Sequence, residues 1–338
     1  QREFLGTNRE GGYLSTTLNF CNTSRYHGLL IVPIDNFLGR NHLLLSSLDE
    51  TIVVNDKEFN FGIHEYPGTF FPKGHKYIIE SELNKYYSIT YQVAGVSLRK
   101  DIMMLHKQPQ MLIRYTLLSG PETVRLRLKP FLAFRDIHSL SKENPVANTQ
   151  AEAVKGGVKV KLYPEFPYLY MQLSKEANFG GKAYWNNNIY YTKEKERGYD
   201  YQEDLLSLGA FEVSLKKGES IVFSASLEEA DSKVLAKNFD KYLKERAERN
   251  SFEECLQYTA SQFLIQKAGE TRIKGGYHWF ESNTRDTFIA LPGIALSGKA
   301  DKIFDEVLSS ALKYFYNGLF ARDISTHVVD PAFDADTS

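Results

Sequence analysis

Apolar and polar residues alternate with a period of two over most of the chain up to about Ser226. The segment VRLRLK (124–129) alternates apolar with basic residues, and GVKVKL (157–162) repeats the pattern with lysines. Successive side chains of a strand point to opposite faces, so this period predicts strands with one buried face. Lys217-Gly218 lies between two alternating arms and predicts a β-hairpin. Because such segments recur without regular helical insertions, we expect antiparallel sheets that pack face to face.

Beyond Ser226 the hydrophobic pattern takes the longer period of a helix. Segment 229–250 is highly charged, and its apolar residues share one side of a predicted helix, namely Val234, Leu235, Phe239 and Leu243. A helix of this composition has a broad solvated face and a narrow packed one. We therefore predict a β domain over residues 1–228, followed by a helical linker over 229–250.

The remaining segment, 251–338, predicts a helical domain. Ser251 and Glu254 have the spacing of a capping box, ahead of a helix that places on one face Cys255, Leu256, Thr259 and Phe263. Asp301 can cap a later helix, whose apolar stripe continues to Phe315 and stops at Gly318. About three helices with such broad apolar faces cannot cover one another. We therefore expect the sequence to stop inside this domain.

An Arg-Asp pair stands directly before the apolar run of the segment HWFESNTRDTFIALPG (278–293). One interpretation is structural: Asn283 or Thr284 is the N-cap, and the helix dipole favours Asp286 in the first turn. The other is that Arg285 and Asp286 face a cleft and bind the hydroxyl groups of a ligand, since a carboxylate accepts two such donors at a fixed spacing. From the pattern alone, the structural interpretation is favoured.

Composition narrows the classes of partner. Lys plus Arg number 41 and Asp plus Glu number 42, which gives a formal net charge of −1, and no long basic block is present that could follow a phosphate backbone. Apolar residues never run unbroken for the roughly 20 positions of a membrane span. We therefore expect neither nucleic acid nor a membrane as a partner.

Cysteine and histidine usage gives no sign of a metal site. Cys21 and Cys255 are too few for a disulfide framework or a thiolate site, which favours a reducing, cytoplasmic setting. The histidines that share no metal-ligand spacing are His64, His75 and His106. His27 lies in an apolar, strand-like run and is interpreted as structural. We expect no metal and no cofactor.

Several blocks along the chain carry a resemblance to a known family. They are EFLGTNREGGY, CNTSRYHGLL, LGRNHLLLSSLDE, YPEFPYLY, RGYDYQEDL and GYHWFESNTRDTFIALPG. In this order they resemble the bacterial and archaeal type of glycogen debranching enzyme, an amylo-α-1,6-glucosidase. The resemblance implies an N-terminal β supersandwich and then an (α/α)6 toroid, truncated here to its first helices over 251–338. It also implies that the substrate is glycogen or another branched α-glucan.

The resemblance implies roles for particular residues. Arg285 and Asp286 match a pair that binds the terminal glucose, and Trp279 could stack beside the sugar ring. Tyr277 is a further candidate for substrate contact, although the YHW stretch at 277–279 could instead plug the helix bundle. Many relatives have Trp-Gly directly before the Arg-Asp pair, where this chain has Asn283-Thr284.

The resemblance also implies a general acid in the closing segment PAFDADTS. Alignment with the family's acid-bearing segment places it on Asp336, with Asp334 and Asp330 as rivals, while the structural alternative is a polar loop beside Pro331. Hydrolysis with inversion needs a second carboxylate, about 6.5–9.5 Å from the acid, to activate water. In the family this base lies beyond Ser338. We therefore expect the sequence by itself to lack normal hydrolytic activity.

Two other functions remain open at this stage. The chain could be a noncatalytic glucan-binding or packing module. It could also be part of a disaccharide phosphorylase with the same sandwich-plus-toroid plan, in which phosphate replaces the activated water and no carboxylate base is needed.

Overall fold

The computed structural model describes residues 2–296, 301–324 and 333–334. A β domain occupies its first two thirds. Its strands are β1 (Glu3–Thr7), β2 (Tyr13–Thr17), β3 (Gly28–Ile34), β4 (Arg40–Val54), β5 (Lys57–Asn60), β6 (Ile63–Tyr66), β7 (Thr69–Lys73), β8 (Ile78–Leu83), β9 (Tyr87–Val93), β10 (Val96–Met104), β11 (Gln110–Ser119), β12 (Thr123–Asp136), β13 (Ala151–Val154), β14 (Gly157–Val160), β15 (Leu169–Leu173), β16 (Asn178–Gly180), β17 (Tyr184–Tyr190), β18 (Gln202–Ser207), β19 (Ala210–Lys216) and β20 (Ser220–Ser226).

Two large sheets make up this domain. A ten-stranded sheet has the main order β1-β2-β3-β4-β12-β18-β17, with β5 paired to β4, and with β19 paired to both β12 and β16. An eight-stranded sheet has the order β13-β14-β15-β20-β11-β10-β9-β8. All pairs in both sheets are antiparallel. The prediction of a mainly β chain with antiparallel sheets is therefore confirmed.

The main core lies between the two sheets. Leu30 and Leu44 of the first sheet, and Ile113 and Tyr115 of the second, belong to one cluster and are fully buried. Along β12 the burial alternates as the sequence predicts, with the apolar residues of 124–128 buried and the basic residues between them more exposed. The period of two therefore identified which face of this strand packs inward.

The prediction of a β-hairpin at Lys217-Gly218 is wrong. Gly218 does turn the chain, with φ 81°, but the two arms pair with different partners. β19 pairs with β12 and β16 in one sheet, whereas β20 pairs with β11 and β15 in the other. Each arm buries one face in the shared core, so both show the alternation of a hairpin without pairing with each other.

The helices, by contrast, lie mostly after the β domain. They are α1 (Thr192–Glu196), α2 (Leu235–Glu245), α3 (Phe252–Gln262), α4 (Thr284–Leu296) and α5 (Asp301–Leu312), with short 3-10 turns at Asp35–Phe37, Gly74–Tyr77 and Ser232–Val234. The predicted linker helix is α2, which packs Leu235 and Phe239 on the outer face of β11 and β20. The Ser251–Glu254 capping box is present at the start of α3.

Two features of the helical region differ from the sequence prediction. The face of α3 that carries Cys255 and Leu256 is exposed, and α5 ends at Leu312. Phe315 belongs to a strand, and Gly318 turns a tight hairpin with φ 89° in place of ending a helix. The strands of this region are β21 (Leu264–Lys267), β22 (Glu270–Ile273), β23 (Phe315–Tyr316), β24 (Leu319–Ala321) and β25 (Phe333–Asp334).

Candidate functional site

The first turn of α4 contains the Arg-Asp pair, and Asn283 caps it. The backbone N–H of Asp286 donates to Asn283 Oδ1 at 2.8 Å, and Asn283 Nδ2 donates to Asp286 Oδ2, also at 2.8 Å. The structural role that the sequence allowed for Asp286 is thus present. One carboxylate oxygen, Oδ1, makes no hydrogen bond within the described residues, and it remains able to accept a donor from a ligand.

Arg285 points away from the packed side of this helix. Its side chain is exposed, and its guanidinium makes no hydrogen bond or ion pair within residues 2–296, 301–324 and 333–334. Asp286 is half-buried, and Thr284 and Thr287 beside it are buried. The pair therefore lies at the surface at one end of α4, where a ligand can reach it.

A short hairpin, residues 275–281, leads into this helix. Gly276 and Phe280 exchange backbone hydrogen bonds across it, and the Gly275 N–H donates to the Glu281 carbonyl at 3.1 Å. A Cβ atom on Gly275 would lie 2.8 Å from the Glu281 carbonyl oxygen and 2.9 Å from Asp286 Oδ2. Glycine at this position therefore allows the base of the hairpin to contact the first turn of α4.

Strand β24 joins the start of α4 to the segment that carries the acid candidates. The Thr284 N–H donates to the Arg322 carbonyl at 3.1 Å, and Thr284 Oγ1 donates to the Ala321 carbonyl at 3.0 Å. β24 in turn pairs with β25, with Ala321 opposite Phe333. The backbone at Asp334 is therefore one strand away from the N-terminus of α4, while Asp336 and Asp330 lie outside the described residues.

Tyr277, at the tip of the hairpin, is packed inside the protein. It is 8% exposed, its hydroxyl donates to the Gln262 carbonyl at 3.3 Å, and its ring lies 5.6 Å from both Tyr13 and Phe263. Burial raises the pKa of Tyr277 well above its ordinary value. Tyr277 thus packs between the β domain and the end of α3, a position that is neither of the two that the sequence left open.

His278 follows Tyr277 into the same contact with the β domain. Its ring lies 5.3 Å from Tyr13 and 6.1 Å from His27, and its Nε2 has no hydrogen-bond partner within the described residues. Burial is the main cause, with a smaller contribution from the neighbouring His27, and together they lower the pKa of His278 to about 4. The imidazole is therefore neutral at neutral pH.

Trp279 has a different environment from these two neighbours. It is 46% exposed, and its ring packs edge-on against Tyr26 at 6.3 Å, with the guanidinium of Arg197 5.9 Å from its centroid. Its contacts are thus with the β domain, whereas those of Asp286 are with Asn283 and Gly275. The structure does not bring Trp279 and Asp286 into contact, although both lie along one segment, 275–286.

One buried carboxylate holds two arginines of the β domain, of which Arg197 lies beside Trp279. Glu194 is fully buried on its side chain; Arg25 Nε lies 3.2 Å from its Oε2, and Arg197 Nη2 donates to its Oε1 at 3.2 Å. The Arg25 guanidinium lies 4.9 Å from the ring of Tyr199 and 5.4 Å from that of Tyr26. We call this set the aromatic–arginine surface; it consists of Arg25, Tyr26, Arg197, Tyr199 and Trp279.

Family models match nearly the whole chain in two parts. The model described as glycogen debranching enzyme N terminal matches residues 2–222, and the model described as amylo-alpha-1,6-glucosidase matches residues 258–335. The chain belongs to the glycogen debranching enzyme family. The resemblance drawn from the sequence blocks is therefore confirmed, and no curated protein sequence matches the chain.

Solved structures similar to this debranching-family chain are distant in sequence. A bacterial glucoamylase complexed with acarbose is 10% identical with a TM-score of 0.47, and the match covers 94% of this chain and 51% of that one. A heparan sulfate lyase from Pedobacter heparinus is 14% identical with a TM-score of 0.26, covering 44% of this chain and 21% of that one. The chain thus spans about half the length of the glucoamylase.

Of the aromatic–arginine surface of this debranching-family chain, the sequence analysis named only Trp279 as a candidate for sugar contact. Its members come from three of the blocks that carry the family resemblance, namely RYHGLL, RGYDYQEDL and GYHWF. The three blocks were therefore visible in the sequence as candidates for a shared site. Nothing in their spacing, however, shows that they meet in space.

The helices of residues 2–296 and 301–324 are too short or too polar to span a bilayer. Within the same residues, no group of three His, Cys, Asp or Glu side chains is placed to hold a metal ion.

Proposed function

We propose that the N-terminus of α4 binds the terminal glucose of an α-1,6 branch, in an enzyme that hydrolyses branch points of glycogen or a similar α-glucan. The observation that carries this proposal is the link through β24. It brings the exposed Arg285, the free oxygen of Asp286 and strand β25 into one neighbourhood. Family membership supports the same substrate class.

Each group of the pair has a distinct role in this proposal. Asp286 Oδ1 accepts hydrogen bonds from the outer hydroxyls of the sugar, while Oδ2 stays fixed by Asn283. Arg285 donates to the same sugar from the exposed side. Because Asn283 already holds the carboxylate, binding costs little side-chain entropy, and the capping role and the ligand role are compatible.

The acid belongs to the segment after β25, and we propose Asp336. Protonation of the leaving oxygen requires a carboxyl that keeps its proton near neutral pH, which burial beside aromatic groups favours. We assign no described residue as the base that activates water for an inverting attack. Consequently we propose that the 338-residue chain binds glucan without hydrolysing it at a normal rate.

The fold proposal follows from the same region. We propose that α3, α4 and α5 are the first helices of an (α/α)6 toroid that follows a β supersandwich over 1–228 and a linker over 229–250. Exposed apolar side chains on these helices, such as Phe252, Leu256 and Ile289, support this arrangement, since a toroid packs each helix against further helices.

The sugar site is tested by titrating the chain with isomaltose, an α-1,6-linked disaccharide. Asp286→Asn preserves the contact with Asn283 but removes the charged acceptor, so we expect affinity to fall about 10–100-fold. Asp305→Asn, at an exposed carboxylate of α5, is the matched control and should bind as the unaltered chain does. Equal affinity of the Asp286→Asn variant and the control would show that the glucose site lies elsewhere.

The acid is tested separately by glucose release from a glucosyl-branched limit dextrin in the full-length enzyme. There, Asp336→Asn should lower turnover by about 100-fold or more, since general acid catalysis contributes at least that much. Unchanged turnover would move the acid to another residue, with Asp334 and Asp330 the next to be replaced.

A further inference from the structure

We infer that the aromatic–arginine surface binds a linear α-glucan chain, as an extension of the terminal-glucose site onto the β domain. The inference rests on the proposed function, and it assigns the surface to the outer chain of the same branched substrate. It concerns residues that lie well separated along the sequence and that the fold brings together around Trp279.

The surface presents two partly exposed aromatic rings that are already ordered before a ligand binds. Tyr199 is 56% exposed and Trp279 is 46% exposed, so part of each ring faces solvent. Neither ring is loosely held, because the Arg25 guanidinium lies against Tyr199 and the Arg197 guanidinium lies against Trp279. Rings fixed in this way lose little conformational entropy when a ligand packs on them.

The chemistry of the surface fits a neutral polyhydroxyl ligand better than a polyanion. Glu194 is buried between the two arginines and accepts hydrogen bonds from Ser24 Oγ and the Arg25 N–H, so it stays in place and offsets much of their charge. Sugars present an apolar C–H face to aromatic rings and hydroxyls to guanidinium donors.

Both arginines, Arg25 and Arg197, retain guanidinium N–H groups that can donate to a ligand. Arg25 uses Nη1 for the His138 carbonyl at 2.7 Å, and Arg197 uses Nε for the Lys193 carbonyl at 3.1 Å. Within the described ranges, Arg25 Nη2 and Arg197 Nη1 make no hydrogen bond. Each can therefore donate to a sugar hydroxyl without breaking an existing contact.

Two rings of the surface are open to a sugar. Tyr199 and Trp279 are each about half exposed, whereas Tyr26, which packs between Arg25 at 5.4 Å and Trp279 at 6.3 Å, is only 6% exposed. Each exposed ring can pack against one glucose unit, so a ligand of more than one unit can contact both. Trp279 is also four residues from Gly275, which lies against Asp286, so its Cα is at most about 15 Å from that of Gly275.

The experiment compares two probes, maltoheptaose as a linear α-1,4 glucan and isomaltose, by calorimetric titration of the 338-residue chain. We expect Trp279→Ala and Tyr199→Ala each to raise the Kd for maltoheptaose roughly fivefold. Tyr199→Ala should leave the Kd for isomaltose unchanged, because the disaccharide occupies only the glucose site. Phe252→Ala, at a 79% exposed ring on α3, is the control for loss of an exposed aromatic group.

The outcomes separate this inference from the proposed function. If Asp286→Asn weakens both probes while Trp279→Ala and Tyr199→Ala bind maltoheptaose as the unaltered chain does, the inference is wrong and the glucose site stands. If the two aromatic variants weaken maltoheptaose but the unaltered chain does not bind isomaltose, the surface stands and the glucose site is wrong. Thermal melting of each variant excludes misfolding as the cause of a weaker signal.

Discussion

His278 lies where the hairpin 275–281 meets the β domain, and its protonation links pH to this contact. The charged or titratable groups that influence it are His27, Glu3, Lys193 and Lys274. Burial is the largest influence and disfavours the charged imidazole, and the neighbouring positive charges act in the same direction. Glu3 opposes them, and hydrogen bonding to His27 and Lys193 lowers the pKa of Glu3 to about 2.

The lowered pKa of His278 predicts loss of stability in mild acid. An unfolded histidine titrates near pH 6.5, whereas His278 titrates near 4 in the folded chain, so the unfolded state binds the proton first. The stabilisation is complete above pH 6.5 and is lost as pH falls toward 4. Between pH 7 and pH 5 we expect His278 to account for roughly 1–2 kcal/mol of the fall in unfolding free energy.

Urea unfolding at the two pH values checks this expectation. His278→Asn should show a smaller difference between pH 7 and pH 5 than the unaltered chain, while the exposed control His75→Asn should show the same difference as the unaltered chain. An undiminished difference in His278→Asn would mean that this residue does not carry the acid sensitivity.

Among the elements, the hairpin 275–281 carries Trp279 and contacts Asp286, the two candidate sugar contacts. Its adjacent glycines, Gly275 and Gly276, allow the effect of an added methyl group to be compared at two neighbouring positions. Gly275→Ala places a methyl group 2.7–2.9 Å from Asn283 Nδ2, the Glu281 carbonyl and Asp286 Oδ2, whereas Gly276→Ala meets only Phe280 Cδ2 at 3.4 Å. We expect Gly275→Ala to destabilise the chain by about 1–3 kcal/mol, as overpacking does, and to weaken isomaltose binding. Gly276→Ala should change neither, and equal effects of the two in urea unfolding and titration would contradict this account.

Elements were predictable from the sequence where their signals are local. The capping box of α3 and the Asn283 cap of α4 follow from residues within one turn. The β21–β22 hairpin was not predicted, because one of its two turn residues is Ala268, which has positive φ as Gly269 does, and alanine seldom adopts that conformation. Gly318 was interpreted as the stop of a helix, although the dipeptide Asn317-Gly318 is a strong hairpin signal.

Pairing between distant segments was not predictable from such signals. The alternation of β19 and β20 shows that each strand has a buried face, but it does not show which sheet receives each strand. The same holds for the candidate site. The cap at Asp286 is local, whereas the approach of Trp279 to Arg197 depends on how the whole β domain folds.

On the scale of the whole molecule, the hairpin 275–281 joins the helical segment to the β domain. Tyr277 enters a cluster with Tyr13 and Tyr26, and Asn41 Nδ2 donates to Glu281 Oε1 at 3.2 Å. Arg9 Nη2 also donates to Ser261 Oγ at 2.8 Å. These contacts bring the sugar-site candidates on α4 and the aromatic–arginine surface into one framework, so the β domain takes part in substrate binding under the proposed function.

The distribution of buried residues predicts which part folds alone. The main core draws all its fully buried members from between Phe4 and Ala225, whereas the clusters among α3–α5 are small and leave Phe252 and Ile289 largely exposed. We therefore expect a chain of residues 1–250 to unfold cooperatively in urea. Its midpoint should be lower than that of the 338-residue chain, because it lacks Tyr277. A chain of residues 251–338 should give the circular dichroism of an unfolded polypeptide. A cooperative transition in the second, or its absence in the first, would show that stability is distributed differently.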